Sequence, residues 1–565
     1  MALKMRRPIL TGPKVLLHMA LWTTVSLVVL SVGFGPRFST WLLPMGFGKS
    51  VGLPRLSLTH AVMEDHPIKT LVLNAGVVFN ETLARQSRTF EMAVSEYLRR
   101  YQRRPPPGFQ TWYNYAVKHD SPIIDEFDVI NKTLAPFWKL SGLEITNRLE
   151  SVGKSGPWLS RCEASNTGLQ AGCAFLGSEL LSLLSNTEDI PHMPEVDMLL
   201  NMLDEPRILP NHDCRDECVE DRTKNSTLVW TDLSHQDVWN EITAGCYDRN
   251  ESTTPTPSPK DIPFEKGALD LLDIDWNMVD LCHHPEFQNM HGLWKSPTTL
   301  SSVNSIVPIL SPAVVSTMSD IPLPAAAYSN KAFTYEESED VAWADKTASL
   351  YWAGKTTGSF QGARNEEWKH GHRQRFVALV DGLERKTHTY LWRPNSASRW
   401  QKHHSSFLNQ SNYNVHFTDV VQSADQATED AIRGYFHIVD PEPREEAFKY
   451  TLTFDLDGNG HSGRYYRFLN SRSLPLKQTV FREWHDERLL PWRHYVPISL
   501  PMDELPEVVR YLTVEDEGKE IAALLADEGR QWSLRSLRPV DQAIYLYRLT
   551  LELSRLQDPS RLADP

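Results

Sequence analysis

The chain has no excess of positive charge. Over 565 residues its formal net charge is −14, and no long run of like charge marks an interaction tail. Proteins that bind nucleic acid need a basic surface to displace counterions, so that class is excluded. Acidic residues are also missing from the amino terminus, where Glu64 is the first. Lys4, Arg6, Arg7 and Lys14 instead precede an uncharged stretch from Val15 to Pro36. A cleavable signal peptide has an apolar core of about 7–15 residues, whereas a bilayer span takes about 20. The stretch fits the longer class, although His18 and the Thr23–Thr24 pair dilute it. A cleaved signal or a buried soluble helix is the weaker alternative. The basic flank keeps residues 1–14 cytoplasmic and directs the remainder into the lumen. The expected topology is therefore single-pass type II in the Golgi or endoplasmic reticulum membrane, with an anchor at 15–36 and a stem at 37–65.

Cysteine is scarce and confined to one region. Cys162, Cys173, Cys214, Cys218, Cys246 and Cys282 account for all of it. An even number in one region of a lumenal body reads as a disulfide set whose pairing sequence does not fix. Zinc is the alternative, but the Cys214–Cys218 spacing has no matching Cys/His pair nearby. Sequons at Asn80, Asn131, Asn225, Asn250 and Asn409 agree with a lumenal body. Tryptophan is plentiful at 17 residues, which suits sugar stacking and a large core equally.

The length exceeds one compact core, so roughly two or three domains are expected. Apolar residues at Phe90, Ala93, Val94, Tyr97, Leu98 and Tyr101 predict an amphipathic helix over 81–101, ended by the Arg103–Gly108 run. Glu195–Leu203 reads as a buried strand stopped by Asp204-Glu205-Pro206, and Ser305–Leu310 as a second strand. Residues 212–265, with the Thr253–Lys260 run, read as an insertion. Beyond about residue 330, strands at Ala348–Trp352, Asn414–Phe417, Tyr450–Phe454 and Leu476–Val480 alternate with helices. Those helices are expected at Trp368–Leu379, Ser462–Asn470, Leu505–Leu512, Glu520–Glu528 and Val540–Leu556, the pattern of a parallel α/β domain. There is no internal repeat. The histidine pairs His283–His284 and His403–His404 read as solvated loops rather than metal sites.

The segment Lys449–Arg464, KYTLTFDLDGNGHSGR, reads as a strand, a glycine turn and a helix starting near Ser462. That arrangement brings backbone N–H groups and a helix N-terminus to the carboxyl end of a strand, where they attract phosphate. Gly458, Gly460 and Gly463 allow close approach, Ser462 offers a hydroxyl, and Arg464 offers a planar charged fork for a diphosphate. The start of the segment also matches a calcium loop. Its twelfth position is Tyr466 where Glu is required, and a strand precedes it, so calcium is discarded. An Asp455-x-Asp457 metal site and a purely structural turn remain as alternatives.

These residues, with LPLKQTVFREW, LLPWRHYVP, LYWAGKTTGS, HRQRF and LRPVDQAIYLYRLTLE, resemble the fungal capsule-associated protein family. This is glycosyltransferase family 90, which includes the animal protein O-glucosyltransferases of the Rumi type. A weaker set at RRPPPGFQTW, IIDEFDVI and DMLLNMLDEP extends the resemblance upstream. The resemblance implies an α/β fold of the GT-B-like kind, with two facing Rossmann-like domains. The acceptor-side domain would span 66–325, the donor domain 326–535, and a closing helix 536–565. It further implies inverting, metal-independent transfer of xylose or glucose from a UDP-sugar to a hydroxyl of a glycan or glycoprotein, without a cofactor. Asp204 corresponds to the catalytic base; its alternative role is a turn cap. Ser311, Gly460, His461, Ser462 and Arg464 fall on the donor side. Where the family has Trp-Arg-Gly-Ser, this chain has Trp352-Ala353-Gly354-Lys355, so Lys355 replaces a donor-contacting Ser. Thr356, Thr357 and Arg364 remain as polar candidates there. Two rival readings stay open: a degenerate member that binds without catalysis and, ranked lowest, a glycoside hydrolase, which needs a second carboxylate.

Overall fold

Strands buried on both faces organise the carboxyl-terminal half. The computed structural model describes residues 64–166, 168–208, 229–244, 246, 271, 280–303, 305–362, 366–394 and 399–564. The first of two five-stranded sheets contains β1 (Leu159–Ser165), β2 (Gly168–Leu169), β3 (Val196–Asn201), β4 (Ile309–Ser311) and β5 (Ile321–Pro322). The second contains β6 (Thr347–Lys355), β7 (Tyr413–Asp419), β8 (Tyr450–Leu456), β9 (Leu474–Gln478) and β10 (Val496–Pro497). The second sheet has the order β7-β6-β8-β9-β10 and is parallel throughout. Its central strand β8 is buried from Thr451 to Leu456, which explains why it reads as a nearly continuous apolar run.

The first sheet is mixed. Its order is β2-β1-β3-β4-β5, with β1 antiparallel to both β2 and β3 and the remaining pairs parallel. The antiparallel strand β1 carries Cys162, which is bonded to Cys173; Cys246 is bonded to Cys282. Cys214 and Cys218, the 212–265 insertion except for Val229–Ala244 and Cys246, and the expected anchor and stem lie outside the described residues, save Glu64 and Asp65 at the stem's end. Among the described residues no helix is long and apolar enough to cross a membrane.

Ten of the fourteen α-helices among the described residues bear on the site and its support. They are α1 (Pro67–Ala84), α2 (Phe90–Tyr101), α3 (Phe109–Lys118), α4 (Gly142–Ser155), α5 (His372–Asp381), α6 (Gln426–Tyr435), α7 (Tyr465–Asn470), α8 (Leu505–Val514), α9 (Asp516–Ser536) and α10 (Pro539–Leu556). The expected helix over 81–101 is instead the end of α1 and the whole of α2. Thr89 is extended and its hydroxyl accepts from Met92 N–H, so it starts a new helix. The expected strand at Ser305–Leu310 is confined to Ile309–Ser311. His403 and His404 sit on an exposed hairpin of His388–Trp392 with Gln401–Ser405, not on a loop.

The chain ends cross over. Near the amino terminus, α1 buries Ile68, Leu71, Val72 and Ala75 in the core of the second sheet. His66 caps α1, bonds Glu507 on α8 at 3.0 Å and stacks on Tyr511 at 3.6 Å. At the other end α10 completes the core of the first sheet, where Ala543, Ile544, Tyr545, Leu546, Leu549 and Leu553 are buried. Trp112 on α3 donates to Ile544 O, Tyr545 donates to Pro322 O, and Gln557 bonds the backbone of Asp197.

Candidate active site

The glycine turn follows β8 at the centre of the parallel sheet. Gly458 N–H donates to Gly460 O at 2.9 Å and closes it tightly. Two side chains from the start of α5 brace the turn from behind. Arg373 donates through Nε to Asp457 O at 2.7 Å and through Nη1 to Thr357 Oγ1 at 2.6 Å and Lys355 O at 3.0 Å. His372 Nε2 lies 2.8 Å from the same Asp457 carbonyl. Burial pulls the Arg373 guanidinium down to about 9, further lowered by Arg464. Neither residue was assigned a role from sequence, although both stand in the HRQRF segment. Asn459 joins three segments, because its Oδ1 accepts from Gly358 N–H at 3.0 Å and Thr298 hydroxyl at 3.3 Å.

The turn meets the loop that carries Asp204 directly. A Cβ placed on Gly460 would lie 2.2 Å from the carbonyl oxygen of Asp204 and 3.2 Å from its Cα. Only a residue without a side chain permits this approach. The contact joins Asp204, after β3, to the turn after β8, two positions 256 residues apart in sequence (460 minus 204).

Asp204 and its neighbour Glu205 have opposite environments. Asp204 is exposed, and no described residue bonds its carboxylate. Glu205 is buried and accepts from Thr298 N–H, Thr299 N–H and the Thr299 hydroxyl. The turn is capped by Asn201, which accepts from Leu203 N–H at 3.1 Å, so Asp204 is not the cap. Ser311 is buried and donates to Asp320 at 2.5 Å, while Asp320 accepts from the N–H groups of Arg207 and Ile208. The Ser311 hydroxyl also accepts from Asn201 Nδ2 at 3.1 Å, so it braces the Asp204 loop on both sides.

The remaining expected residues divide in the same way. Arg464 donates through Nη1 to Ala353 O at 2.8 Å, while its buried Nη2 makes no hydrogen bond. Burial lowers its pKa from the ordinary value, with Asp455 opposing. His461, half-buried beside Tyr328, has an unbonded Nδ1. Ser462 does not cap a helix: its hydroxyl donates to Asp455 at 2.5 Å, and α7 begins three residues later, at Tyr465. Asp455 is also bonded by Lys477 at 3.2 Å, and Asp457 accepts from Val480 N–H through Oδ2 while its buried Oδ1 makes no hydrogen bond. Lys355 is exposed and pairs with Asp419 at 3.1 Å across the β6–β7 edge. Thr356 is buried and clamps Val421 through both backbone groups. Arg364 lies outside the described residues.

Around the turn, Arg464 Nη2 and His461 Nδ1 are left without a hydrogen bond, and the Asp204 carboxylate is bonded by no described residue. The model of Glycosyl transferase family 90 matches residues 326–560, which include this turn and both bracing residues. Asp204 and Ser311 lie outside the matched range. Protein O-glucosyltransferase 3 of Rattus norvegicus, Mus musculus and Homo sapiens is 32% identical to the chain over 111 residues, 20% of its length. The similarity spans about a fifth of each relative, at 21%, 22% and 21% respectively. The family 90 region thus supplies β6 to α10, with the glycine turn at the middle of its sheet.

Proposed function

We propose that the chain is an inverting, metal-independent glycosyltransferase that moves a sugar from a UDP-sugar to a hydroxyl of a glycan or glycoprotein. The observation that supports it best is the packing of Gly460 on the Asp204 backbone, which sets an unpaired carboxylate beside the family 90 turn. Asp204 takes the proton from the acceptor hydroxyl as its oxygen attacks the anomeric carbon. The anomeric C–O bond breaks, and UDP leaves with the electron pair. The free Arg464 Nη2 and the N–H groups of the turn neutralise the charge that develops on the diphosphate. Glucose and xylose are the preferred donor sugars, and the relatives' name favours glucose on a protein. The chain works in the secretory pathway as a type II membrane protein, a reading supported by its paired cysteines and by exposed sequons at Asn80 and Asn409.

A thermal-shift screen of the detergent-solubilised full chain against UDP-glucose, UDP-xylose and other UDP-sugars tests this, because a ligand that binds only the folded state raises Tm. One UDP-sugar is expected to raise Tm and to be hydrolysed slowly, with and without chelator. Strict manganese dependence would restore the Asp455–Asp457 metal alternative. Binding without any turnover would favour the degenerate reading to which the Lys355 substitution points.

A further inference from the structure

Trp158 has no packing reason to be where it is. Its side chain is 68% exposed, more than any other tryptophan among the described residues. Its φ is +58°, a left-handed conformation that is uncommon for a bulky residue and that Gly or Asn adopts more easily. A segment that only had to turn between α4 and β1 gains nothing from an aromatic ring facing solvent. Exposed aromatics and unusual backbone conformations both concentrate where ligands bind.

The segment is fixed to the Asp204 loop on both sides. Trp158 O accepts from Met202 N–H at 3.0 Å, before Asp204, and Pro157 O accepts from the buried Arg207 Nη2 at 2.7 Å, after it. Gly156 packs beneath, where a Cβ would meet Trp230 at 2.9 Å, and Arg207 lies over the same Trp230 ring at 5.3 Å. The Trp158 backbone therefore cannot drift relative to the carboxylate. Paired strand residues lie about 5 Å apart and two residues span at most about 7 Å, so the backbones of Trp158 and Asp204 lie within about 12 Å of each other.

We infer that Trp158 is the platform on which a pyranose ring of the acceptor glycan stacks while a hydroxyl of that glycan is presented to Asp204. The axial C–H face of a sugar is apolar and slightly positive, and it matches the negative face of the indole. The ring carries no charge, so it recognises neither the diphosphate nor a charged peptide. The inference rests on the proposed role of Asp204 and narrows the acceptor to one that already carries sugar.

The test uses full-length protein labelled with 5-fluorotryptophan, the Trp158 resonance being identified by its loss in W158F. Methyl glycosides of glucose, mannose, galactose and xylose, and their disaccharides, are titrated in. At least one is expected to shift the Trp158 resonance saturably, and equally in an Asp204→Asn background, because stacking does not need the base. With that sugar as acceptor, W158A is expected to raise its KM about tenfold while kcat and donor hydrolysis stay unchanged, and W158F to keep most of the affinity. A Trp158 signal that no sugar moves, in a protein whose Tm a UDP-sugar does raise, overturns the platform and leaves the transferase reading intact. A sugar-induced shift in a protein that binds no UDP-sugar does the reverse. A shift caused by an unglycosylated serine peptide, and by no sugar, also overturns it.

Discussion

At the scale of single residues, two adjacent carboxylates with unlike surroundings carry the most testable contrast. Asp204→Asn keeps shape and removes a proton acceptor that no described residue bonds. It is expected to lower kcat by about 10²–10⁴ with Tm unchanged, measured by transfer assay and calorimetry. Glu205→Gln should act in the opposite sense, because its buried carboxylate holds three donors of the Thr298–Thr299 backbone and hydroxyl. A stability loss of about 1–3 kcal/mol is expected there, with kcat of the folded fraction preserved. Equal effects of both substitutions on Tm would make Asp204 a structural residue. Arg464→Ala removes the free Nη2 together with the bond to Ala353 O. Donor affinity should fall by about 1.5–3 kcal/mol, seen as a raised Kd for the UDP-sugar with acceptor KM unmoved. Sequence located these residues better than it oriented them. Asp204 and Arg464 carry free polar atoms, whereas Ser311, Ser462 and Thr356 spend theirs on Asp320, Asp455 and Val421. Hydroxyls satisfied by distant partners are invisible to motif spacing, since each partner is chosen by the fold.

At the scale of elements, the glycine turn is held tightly against the Asp204 loop. Gly460→Ala puts a methyl group within 2.2 Å of the Asp204 carbonyl, which is backbone and cannot rotate away. The turn and loop must separate, so a loss of about 1–3 kcal/mol is expected together with reduced transfer. Gly434 on α6 has nothing within 4 Å, and the same change there should leave Tm level or raise it. Behind the turn, His291 and His372 stack at 3.9 Å, both buried. Burial, then Arg375 and Arg373, pull His291 down to about 3, and burial likewise lowers His372 far below its usual value. Both are neutral when folded but take up protons when unfolded below about pH 6.5. Stability is therefore full above pH 6.5 and falls as pH drops from there toward about 3, each histidine contributing up to about 1.4 kcal/mol per pH unit. His291→Asn keeps a cap for Leu293 N–H and should flatten the decline in Tm between pH 6 and 4.5. An unchanged slope would refute the assignment. Four of the five parallel strands of the second sheet were legible as short apolar runs, whereas β10, only Val496–Pro497, and α6 after β7 were not. Strand β1 and the division of α1 from α2 were not legible either, since a strand whose buried positions are only the small Cys162 and Ala164, and a single capping Thr89, give a weak apolar signal.

At the scale of the whole molecule, the ends of the chain exchange places. The amino-terminal α1 belongs to the core of the second sheet, and the carboxyl-terminal α10 belongs to the core of the first. Truncation after Leu537 is expected to yield insoluble or protease-sensitive protein, although it leaves every candidate site residue in place. A soluble 1–537 fragment with one cooperative melting transition would show that α10 is dispensable. The alternation after residue 330 made the second half readable as a parallel sheet, but a helix that packs far from its sequence neighbours cannot be foreseen from periodicity.

That exchange also sets the order of events during synthesis. The first sheet is translated early, yet part of its apolar face stays uncovered until α10 emerges, 217 residues after the end of β5 (539 minus 322). The half built on the first sheet therefore waits longest for its covering helix and is the part that leans longest on chaperones.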